Sequence, residues 1–433
     1  MKRVAFHTLG CKVNQYETEA MEELFQKSGY NIVDENEQAD VYVINTCTVT
    51  NLSDRKSRQF IRKSKKINDD SLIAVVGCYS QVSPEEVEKI NGVDVIIGTS
   101  ERNKIVELCE KARDSKEKIN IVRSIKTYKE FEKINIDEIK SKTRAFLKIQ
   151  DGCNQFCSYC IIPYARGPIR SREYEDIEKE AYKLAKAGFK EIVLTGIHVA
   201  SYGKDLKKES LREVIEKISK IEGLERIRLS SVEPNLIDDE FMETITNSNN
   251  VCDHFHLSLQ SGSDSVLKRM NRKYSTREFL EKVEIIRKYM PDAGITTDII
   301  VGFPGETDIE FKETLNFVKK VGFSRIHVFK YSPRKGTPAA IMEEQIHGDI
   351  KSKRSEELIK LGDELTLEFN SRFKDRSLPV LFEEKTKRKN DTYEGYTTNY
   401  IRVEAPSPNN LIGEIIDIKL KDVENISIKG EIL

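Results

Sequence analysis

The first hundred residues alternate short apolar runs with segments in which apolar residues recur every three or four positions. The apolar runs are residues 3–10, 41–47, 71–79 and 93–100. Helical patterns occupy residues 17–29, 53–66, 83–90 and 102–113. Strands separated by helices of this length predict a parallel sheet with covered faces. We therefore expect residues 1–113 to form a small, doubly wound α/β domain.

A second and longer alternation follows a segment rich in lysine and glutamate, residues 114–142, which is typical of an exposed linker with room for a short strand. Six strand-like runs then occupy residues 144–150, 191–197, 226–232, 254–259, 294–303 and 325–332. Helical patterns such as 177–188 and 211–221 lie between them, and 348–371 has the period of a final helix. Six βα units favour a closed or partly closed parallel barrel over residues 143–371, with its chemistry on the loops after the strands.

The last part of the chain, residues 372–433, has a different pattern. Short strand-like runs are separated by Gly, Pro and Asn, with no helical period between them. This pattern predicts a small, five-stranded antiparallel β-barrel.

Composition narrows the choice of partners. Lys and Arg number 71 against 72 acidic residues, and the net charge of -1 gives no overall attraction to nucleic acid or to a membrane. Any such partner must be bound by local patches. No apolar window approaches the roughly 18 residues of a membrane span, and the first residues do not look like a signal peptide. We expect a cytoplasmic protein, in which eight cysteines are ligands, reactive thiols or core residues rather than a disulfide framework.

Three cysteines are clustered directly after the first barrel strand. Cys153, Cys157 and Cys160 lie in the stretch "DGCNQFCSYC", and no fourth ligand candidate follows nearby. A structural zinc site needs four ligands, although a catalytic zinc ion with three protein ligands fits the count. Three thiolates also hold a four-iron cluster and leave one iron open. The residues alone leave both kinds of site possible.

The C-x3-C-x2-C spacing after the first barrel strand resembles the signature of radical S-adenosylmethionine (SAM) enzymes. The resemblance implies a 4Fe-4S cluster on the three cysteines, with the open iron chelated by SAM, which the cluster cleaves to a deoxyadenosyl radical. Strand-end segments are similar to SAM-binding elements of that family, although ordinary turns have the same residue types. The candidates for SAM binding are Tyr159, Thr195, Gly196, Ser231, Glu233, Gln260, Ser261, Asp298 and Gly302.

Three further cysteines, earlier in the chain, share one position in the predicted N-terminal sheet. Cys11, Cys47 and Cys78 each follow an apolar run, at the carboxyl end of a predicted parallel strand. Ligands of open α/β sheets gather outside those ends, so the thiols are expected to converge. Cysteine is also a common core residue. Three at equivalent strand ends favour a second iron-sulfur cluster.

The combination of "LGCKVNQYETE", "NTCTVTN" and "VVGCYSQ" with the later motif resembles radical SAM methylthiotransferases over nearly the whole chain. The terminal barrel is similar to the TRAM domain of that family, which is associated with RNA. One branch of the family acts on isopentenylated adenosine in tRNA, one on an aspartate of a ribosomal protein, and one on N6-threonylcarbamoyladenosine in tRNA. The first two motifs look most like the third branch, which implies methylthiolation of carbon 2 of that nucleoside at position 37, in the anticodon loop.

By this resemblance, the cluster on the later trio would generate the radical and the cluster on the earlier trio would hold or supply sulfur. A second SAM would give the methyl group. An electron donor and a sulfur source are implied, and the sequence identifies neither. The alternatives are the same chemistry on the other two substrates, and a non-catalytic iron-sulfur protein that binds RNA.

Basic residues supply the candidate contacts to RNA phosphates. Arg166, Arg170 and Arg172 follow the cluster loop, and surface ion pairing is their alternative role. The run 385–389 contributes Lys385, Lys387, Arg388 and Lys389, and three tyrosines follow it. A solvated barrel surface with core tyrosines would have the same pattern. Cys109 and Cys252 are expected in the core, and His254 and His256 share one strand face without an assigned role.

Overall fold

A computed structural model describes residues 1–134, 143–207, 210–386, 391–424 and 426–433. Its N-terminal part is built on a six-stranded parallel sheet of order β2-β1-β3-β4-β5-β6. The strands are β1 (Arg3–Thr8), β2 (Asn31–Val33), β3 (Val41–Thr46), β4 (Leu72–Gly77), β5 (Val95–Ile96) and β6 (Ile119–Asn120). The helices are α1 (Lys12–Lys27), α2 (Asn51–Ile67), α3 (Cys78–Val82), α4 (Pro84–Glu88) and α5 (Ile105–Ser115).

Helices cover both faces of this sheet, as the doubly wound prediction requires. Val43 and Val76 pack with α1 and α5 on one side. Their strand neighbours Ile44 and Val75 pack with α2 and α4 on the other side. Side chains alternate between the two faces of a strand, so β3 and β4, which are buried on both faces, read as continuous apolar runs.

The sheet extends further along the chain than the sequence predicts. The short strand β6 pairs with β5 and lies within the segment predicted as a linker. The part of that linker from 135 to 142 lies outside the described residues. The domain boundaries inferred from the sequence otherwise stay predictions.

The central part contains six parallel strands in two sheets, β10-β9-β7-β8 and β11-β12-β13, and β8 is an added antiparallel strand. Isolated parallel bridges join the sheets, so the six strands form one partial barrel. The strands are β7 (Arg144–Asp151), β8 (Arg170–Ser171), β9 (Glu191–Gly196), β10 (Arg226–Leu229), β11 (His254–His256), β12 (Gly294–Val301) and β13 (Arg325–Lys330). The helices are α6 (Ile162–Arg166), α7 (Tyr174–Lys186), α8 (Leu211–Ile218), α9 (Asp239–Asn247), α10 (Asp264–Arg269), α11 (Thr276–Tyr289), α12 (Asp308–Val321) and α13 (Gly348–Ser371).

The inner face of the partial barrel is covered in part by the N-terminal domain. Tyr16 and Ala20 of α1 pack against Phe146 of β7 and Val193 of β9. The neighbouring residues of these strands point outward to α7 and α8. Helix α1 therefore brings the first cysteine trio, which begins directly before it, to the inside of the barrel.

The C-terminal strands close into a barrel of order β14-β15-β16-β18-β17. They are β14 (Ser377–Lys385), β15 (Thr392–Tyr396), β16 (Arg402–Pro406), β17 (Ile415–Glu424) and β18 (Ser427–Ile432). The predicted five-stranded barrel is present, and its neighbouring strands are antiparallel except β16 and β18, which run parallel where the barrel closes. Among the described residues, no helix combines the length and apolar character needed to cross a bilayer.

Candidate active site

Three cysteines lie at the edge of the N-terminal sheet where its strands end. Cys11 follows β1, Cys47 follows β3 and Cys78 follows β4, and these strands are direct neighbours. Adjacent strands lie about 4.8 Å apart, so residues at equivalent strand ends come close together. Cys47 and Cys78 are buried and Cys11 is exposed. The three cysteines therefore lie at one edge of the sheet, with Cys11 facing solvent, and their binding of one cluster stays a prediction.

Two glycines allow this close approach. Gly10 has φ +119°, and a Cβ at this position would lie 2.9 Å from the Cβ of Cys47. Gly77 has φ +100°, and its Cβ would lie 2.6 Å from the carbonyl oxygen of Thr46. Both conformations favour glycine, and both added side chains would collide with a neighbouring strand end. The glycine before each of these two cysteines therefore permits the trio to assemble.

A buried arginine from the central domain contacts this first trio. Arg166, the last residue of α6, donates from Nε to the Sγ of Cys78 at 3.4 Å. Burial raises the pKa of Cys78 to about 12, although the charge of Arg166 opposes the shift. Burial also raises the pKa of Cys47. The raised pKa values mean that these thiols stay protonated when no metal is bound. When they bind a cluster as thiolates, the positive charge of Arg166 would stabilise them.

The second trio lies in the loop between β7 and α6. Cys153 and Cys157 are buried, and Cys160 is half-buried. Burial raises the pKa of Cys153 to about 11 and that of Cys160 to about 12. Within the described ranges, no three His, Cys, Asp or Glu side chains surround a single-ion site.

The cluster loop is fixed by the segments that follow α10 and β13. The N–H of Ser158 donates to the carbonyl of Met270 at 3.0 Å, and its carbonyl accepts from the N–H of Ala339 at 2.8 Å. The half-buried ring of Tyr159 packs into an apolar group that includes Phe303. The backbone between the cysteines is therefore held in place by residues far away in sequence.

A chain of polar contacts leads from the second trio to a cavity. Arg272 donates to the Sγ of Cys157 at 3.3 Å and pairs with Glu233 at 2.8 Å. The other carboxylate oxygen of Glu233 lies 3.4 Å from His198. Burial opposes ionisation of Glu233, but His198 and Arg272 outweigh it and lower the pKa of the carboxyl. A cavity of about 260 Å³ opens beside Glu233, His198 and Gln155.

Thr195 and Gly196, predicted to bind SAM, lie close to the cluster loop. Both are at the end of β9, and Thr195 is buried. The side chain of Gln150 donates to the carbonyl of Gly152 at 2.7 Å and accepts from the N–H of His198 at 2.7 Å. Gln150 thus ties the cluster loop to the segment that follows Gly196.

The remaining SAM candidates are distributed more widely. Gln260 has φ +71° and pairs through its backbone with Asp298, whose side chain points into the barrel toward a histidine. Ser261 instead bonds to α12 at 3.3 Å, and the N–H of Gly302 binds a glutamate that precedes the same helix. Ser231 is exposed. Contact of these residues with SAM stays a prediction.

The three arginines predicted to meet substrate are buried in ion pairs instead. Arg166 binds Glu17 of α1 at 2.6 Å and Asp151 at 3.3 Å. Arg170 lies 3.6 Å from Asp151, and Arg172 binds a glutamate of α7 at 2.6 Å. None of the three offers an exposed guanidinium to a phosphate. We therefore correct this prediction and assign them to the packing around the cluster loop.

Glu17 is the centre of a buried charge network between the two trios. It binds Lys148 at 2.7 Å, Arg166 at 2.6 Å and also Arg102. Burial opposes its ionisation, but these three cations outweigh it and lower the pKa of Glu17 to about 2. Lys148 also binds Asp151 at 2.6 Å, directly before the cluster loop. The network joins α1 of one domain to β7 of the other.

A second group of charged side chains lies on the inner face of the partial barrel, and we call Lys12, His256, Asp298 and His327 the inner polar cluster. His256 and Asp298 are 3.2 Å apart, and the rings of His256 and His327 are 5.9 Å apart. The charge of Lys12, which follows Cys11, acts on both Asp298 and His327. Phe329, on the same face of β13 as His327, is 47% exposed. This part of the inner face is therefore open to solvent.

The barrel residues predicted to bind RNA are only partly described. Lys385 is exposed and pairs with Asp391 at 2.8 Å. Lys387, Arg388 and Lys389 lie outside the described residues. Tyr396 and Tyr400 stack on each other at 4.7 Å and face Arg144 of the central domain. These two tyrosines therefore form a domain contact and not an exposed stacking surface.

Sequence models of known families match both cysteine-bearing domains. The model described as the radical SAM superfamily matches residues 147–318, and the model described as uncharacterized protein family UPF0004 matches residues 3–98. The threonylcarbamoyladenosine tRNA methylthiotransferase MtaB of Bacillus subtilis is 46% identical, over 97% of this chain and 94% of that protein. The chain belongs to the radical SAM methylthiotransferase family.

Other members of the family also match this chain over nearly its whole length. The protein of the same name from Aquifex aeolicus is 40% identical over 91% of this chain and 97% of its own. The tRNA-2-methylthio-N(6)-dimethylallyladenosine synthase of Clostridium tetani is 38% identical over 98% and 95%. Membership of the radical SAM superfamily implies SAM and a 4Fe-4S cluster as cofactors, as the sequence predicts.

Solved structures support the fold. The radical SAM methyltransferase TsrM of Kitasatospora setae, with cobalamin and a 4Fe-4S cluster bound, has a TM-score of 0.59 at 14% identity. The match covers 79% of this chain and 77% of that one. The likeness therefore includes more than the central partial barrel.

Several residues of the site have no separate signal in the sequence. Glu17 and Lys12 lie within the stretch "GCKVNQYETE" that identifies the family, but nothing in the stretch tells which way they point. Arg272 lies 112 positions after Cys160 along the chain, in a segment that reads as an ordinary turn. Only the folded chain brings it to Cys157.

Proposed function

We propose that this protein is a tRNA methylthiotransferase that replaces the C2 hydrogen of N6-threonylcarbamoyladenosine at position 37, in the anticodon loop, with a methylthio group. The observation that carries the proposal is the near full-length match at 46% identity to a protein of that name, in a chain with two separate trios of thiols. The match to the dimethylallyladenosine synthase is weaker, at 38%. The threonylcarbamoyl substrate is therefore preferred.

The second trio would hold the radical SAM cluster. Cys153, Cys157 and Cys160 supply three thiols and leave a fourth iron for SAM. Bound together, the cluster and SAM supply the radical that removes a hydrogen from an unactivated carbon, which side-chain acids and bases cannot do. Arg272 would stabilise the cluster charge through Cys157 and would hold Glu233 at the cavity, where it faces the SAM site.

The first trio would hold a second 4Fe-4S cluster, on Cys11, Cys47 and Cys78. Two of its thiols are buried, and the exposed Cys11 directly precedes α1, which packs on the inner face of the barrel. The open side of the site would therefore face the barrel interior. This arrangement suits a site that presents sulfur to a substrate. The donor set supports a cluster, because thiolates are its normal ligands and Arg166 places an N–H donor at one of them.

The two sites would act on one bound nucleoside because one network of residues fixes their relative position. Arg166 contacts Cys78 and also binds Asp151, directly before the loop of the second trio. Glu17 of α1 closes the network. Displacement of either domain would break buried charge pairs at a high cost in free energy, so the distance between the two trios would be kept constant.

The RNA itself would be held by exposed basic residues, of which Lys385 is the described member of the run 385–389. An electron donor and a sulfur source are also required. Both stay unidentified predictions.

The experiment that tests the proposal is anaerobic. The protein is reconstituted with iron and sulfide and given SAM, a reductant and tRNA that carries threonylcarbamoyladenosine, and the nucleosides are analysed by mass spectrometry. We expect the methylthio product from the wild type, no product from Cys153→Ala or Cys47→Ala, and normal product from Cys109→Ala, which alters a buried core cysteine. SAM cleavage without the methylthio product would show that the assigned substrate is wrong. A methylthio product from isopentenylated tRNA would identify isopentenyladenosine as the substrate instead.

A further inference from the structure

The inner polar cluster lies inside the partial barrel next to the first trio, and only Asp298 among its members is also a candidate for SAM binding. Lys12 directly follows Cys11 and is the first residue of α1. It lies four residues before Tyr16 and eight before Ala20, so it shares the face of α1 that packs against β7 and β9 inside the barrel. Its charge also acts on Asp298 of β12 and on His327 of β13. The cluster is therefore formed by both domains, at the place where the substrate base must approach.

Lys12 has no carboxylate partner within the described part of the chain, where no ion pair or hydrogen bond of its ammonium group is formed. Its nearest acidic neighbours have other partners. Glu191 is shared by Arg144 at 3.9 Å and Arg228 at 2.7 Å. Asp298 lies 3.2 Å from His256. A half-buried cation beside two arginines favours an anionic group that is not part of the chain.

The histidine and the carboxylate of the cluster face each other without a hydrogen bond. The Nε2 of His256 is buried and lies 3.2 Å from a carboxylate oxygen of Asp298, but no hydrogen bond forms between them. Its Nδ1 lies 2.9 Å from the hydroxyl of Thr296, which fixes the ring. Asp298 itself is partly exposed, with 30% of its side chain accessible. The cluster thus offers a cation, a carboxylate and an imidazole to a polar ligand.

The threonylcarbamoyl substituent has the complementary groups. It carries a free carboxylate, a hydroxyl and a ureido N–H, whereas an isopentenyl substituent is a hydrocarbon. A carboxylate on Lys12 would form a charge-assisted hydrogen bond, and Asp298 would accept from the ureido N–H or the hydroxyl. An isopentenyl group would desolvate these side chains and leave them unpaired, and sites of this kind reject such analogues strongly.

We propose that Lys12 binds the carboxylate of the threonylcarbamoyl group and, with Asp298 and His256, selects this nucleoside over isopentenyladenosine. The proposal rests on the proposed function and adds the residues that determine its specificity. Because Lys12 is adjacent to Cys11, the carboxylate would be held within a lysine side-chain length of the first trio. Phe329, exposed on the same strand face as His327, would stack on the base.

The test uses two synthetic anticodon stem-loops that differ in one group. One carries the natural threonylcarbamoyl carboxylate, and in the other this carboxylate is converted to the primary amide. Binding is measured by fluorescence anisotropy with reconstituted enzyme and SAM but without reductant, so no turnover occurs. Turnover is then measured with reductant as kcat/KM.

We expect the wild type to prefer the carboxylate by at least about 10-fold in both assays, since the amide cannot form the charge-assisted hydrogen bond with Lys12. Lys12→Met should lose that preference by weakening only the carboxylate substrate, and Lys12→Arg should keep most of it. Lys27→Met, at the other end of α1, is the matched control and should behave as the wild type. Iron and sulfide content verifies that the variants keep both clusters.

The outcomes separate the two proposals. If the wild type does not distinguish carboxylate from amide, or if Lys12→Met retains the preference with intact clusters, the role of Lys12 is excluded and the proposed function stands. If the wild type modifies neither stem-loop but modifies an isopentenylated one, the proposed function itself is wrong.

Discussion

The two cysteine trios have the same number of thiols but are assembled in different ways. Cys153, Cys157 and Cys160 belong to one loop, and their spacing is visible in eight consecutive residues. Cys11, Cys47 and Cys78 are spread over 68 residues and meet only because β1, β3 and β4 are neighbours in the sheet. A site of the first kind can be recognised locally, whereas the second kind depends on the topology of a domain.

Their arginine partners differ in the same sense. Arg272, which contacts Cys157, comes from the same domain as the trio that it serves. Arg166, which contacts Cys78, comes from the other domain. The site in the N-terminal domain is therefore completed by the central domain, while the site in the central domain is complete within that domain. The first trio should therefore depend on the contact between the domains, and the second trio should not.

The largest expected effect separates the trios by reaction step. Cys153→Ala should abolish both SAM cleavage and product, because the radical SAM cluster is lost. Cys78→Ala should abolish the product but leave SAM cleavage intact, because only the first trio is broken. The measurement is chromatography of deoxyadenosine next to nucleoside mass spectrometry. Loss of SAM cleavage in Cys78→Ala would mean that the sites do not function separately.

Removal of the central carboxylate should destabilise the contact between the trios. Glu17→Gln leaves Arg102, Arg166 and Lys148 with one partner fewer in a buried site, at a cost of roughly 3–5 kcal/mol. The free energies of unfolding of the wild type and the variant, measured in urea, give this cost. Glu110→Gln, which removes an exposed partner of Lys2, should cost at most about 1 kcal/mol. Equal effects of the two variants would contradict the role given to Glu17.

The same carboxylate should make stability depend on pH in the acid range. Because the pKa of Glu17 falls from 4.5 to about 2 on folding, the unfolded state binds more protons between those values. Its contribution, about 3 kcal/mol for this shift, is present above pH 5 and is lost as the pH falls toward 2. Unfolding curves at several pH values should show this loss in the wild type and not in Glu17→Gln. Parallel pH dependences would contradict the shift.

Arginine substitutions should act on one trio each. Arg166→Gln should make the reduction potential of the first cluster more negative, because a cation no longer stabilises the reduced, more negative state. The potential is measured by electron paramagnetic resonance in a Cys153→Ala background, with Arg166→Lys as the conservative variant. Arg272→Gln, in a Cys47→Ala background, should have the same effect on the second cluster. A changed potential of the second cluster in Arg166→Gln, or of the first cluster in Arg272→Gln, would contradict the assignment of one arginine to each trio.

The smallest effect should leave both trios unchanged. Lys385→Ala on the barrel should weaken tRNA binding slightly and reduce its salt slope by about 1, as expected for loss of one phosphate contact. Titrations at several salt concentrations measure this slope. Lys429→Ala, on β18 of the same barrel, is the matched control. An unchanged salt slope for Lys385→Ala would show that Lys385 does not contact a phosphate of the tRNA.

Much of the architecture was available in the hydrophobic pattern, because runs such as 41–46 and 72–77 are buried on both faces and admit one interpretation. The parallel pairing of β16 and β18 was not, since a short strand carries no mark of the direction of its partner. The roles of Arg166 and Arg172 were also misread. A basic residue beside a cluster motif has the same appearance in sequence whether it meets RNA or a buried carboxylate.

By itself the sequence indicated the family and the fold class and predicted two trios of cysteine ligands, because ligand spacing and strand periodicity are local properties of the chain. The tertiary structure alone decided that Arg166 contacts both Cys78 and Asp151, that Glu17 pairs with Lys148 and Arg166, and that Lys12 shares the face of α1 that packs inside the barrel. These contacts connect residues from different domains. Their formation depends on how α1 packs across β7 and β9, and no local pattern encodes that packing.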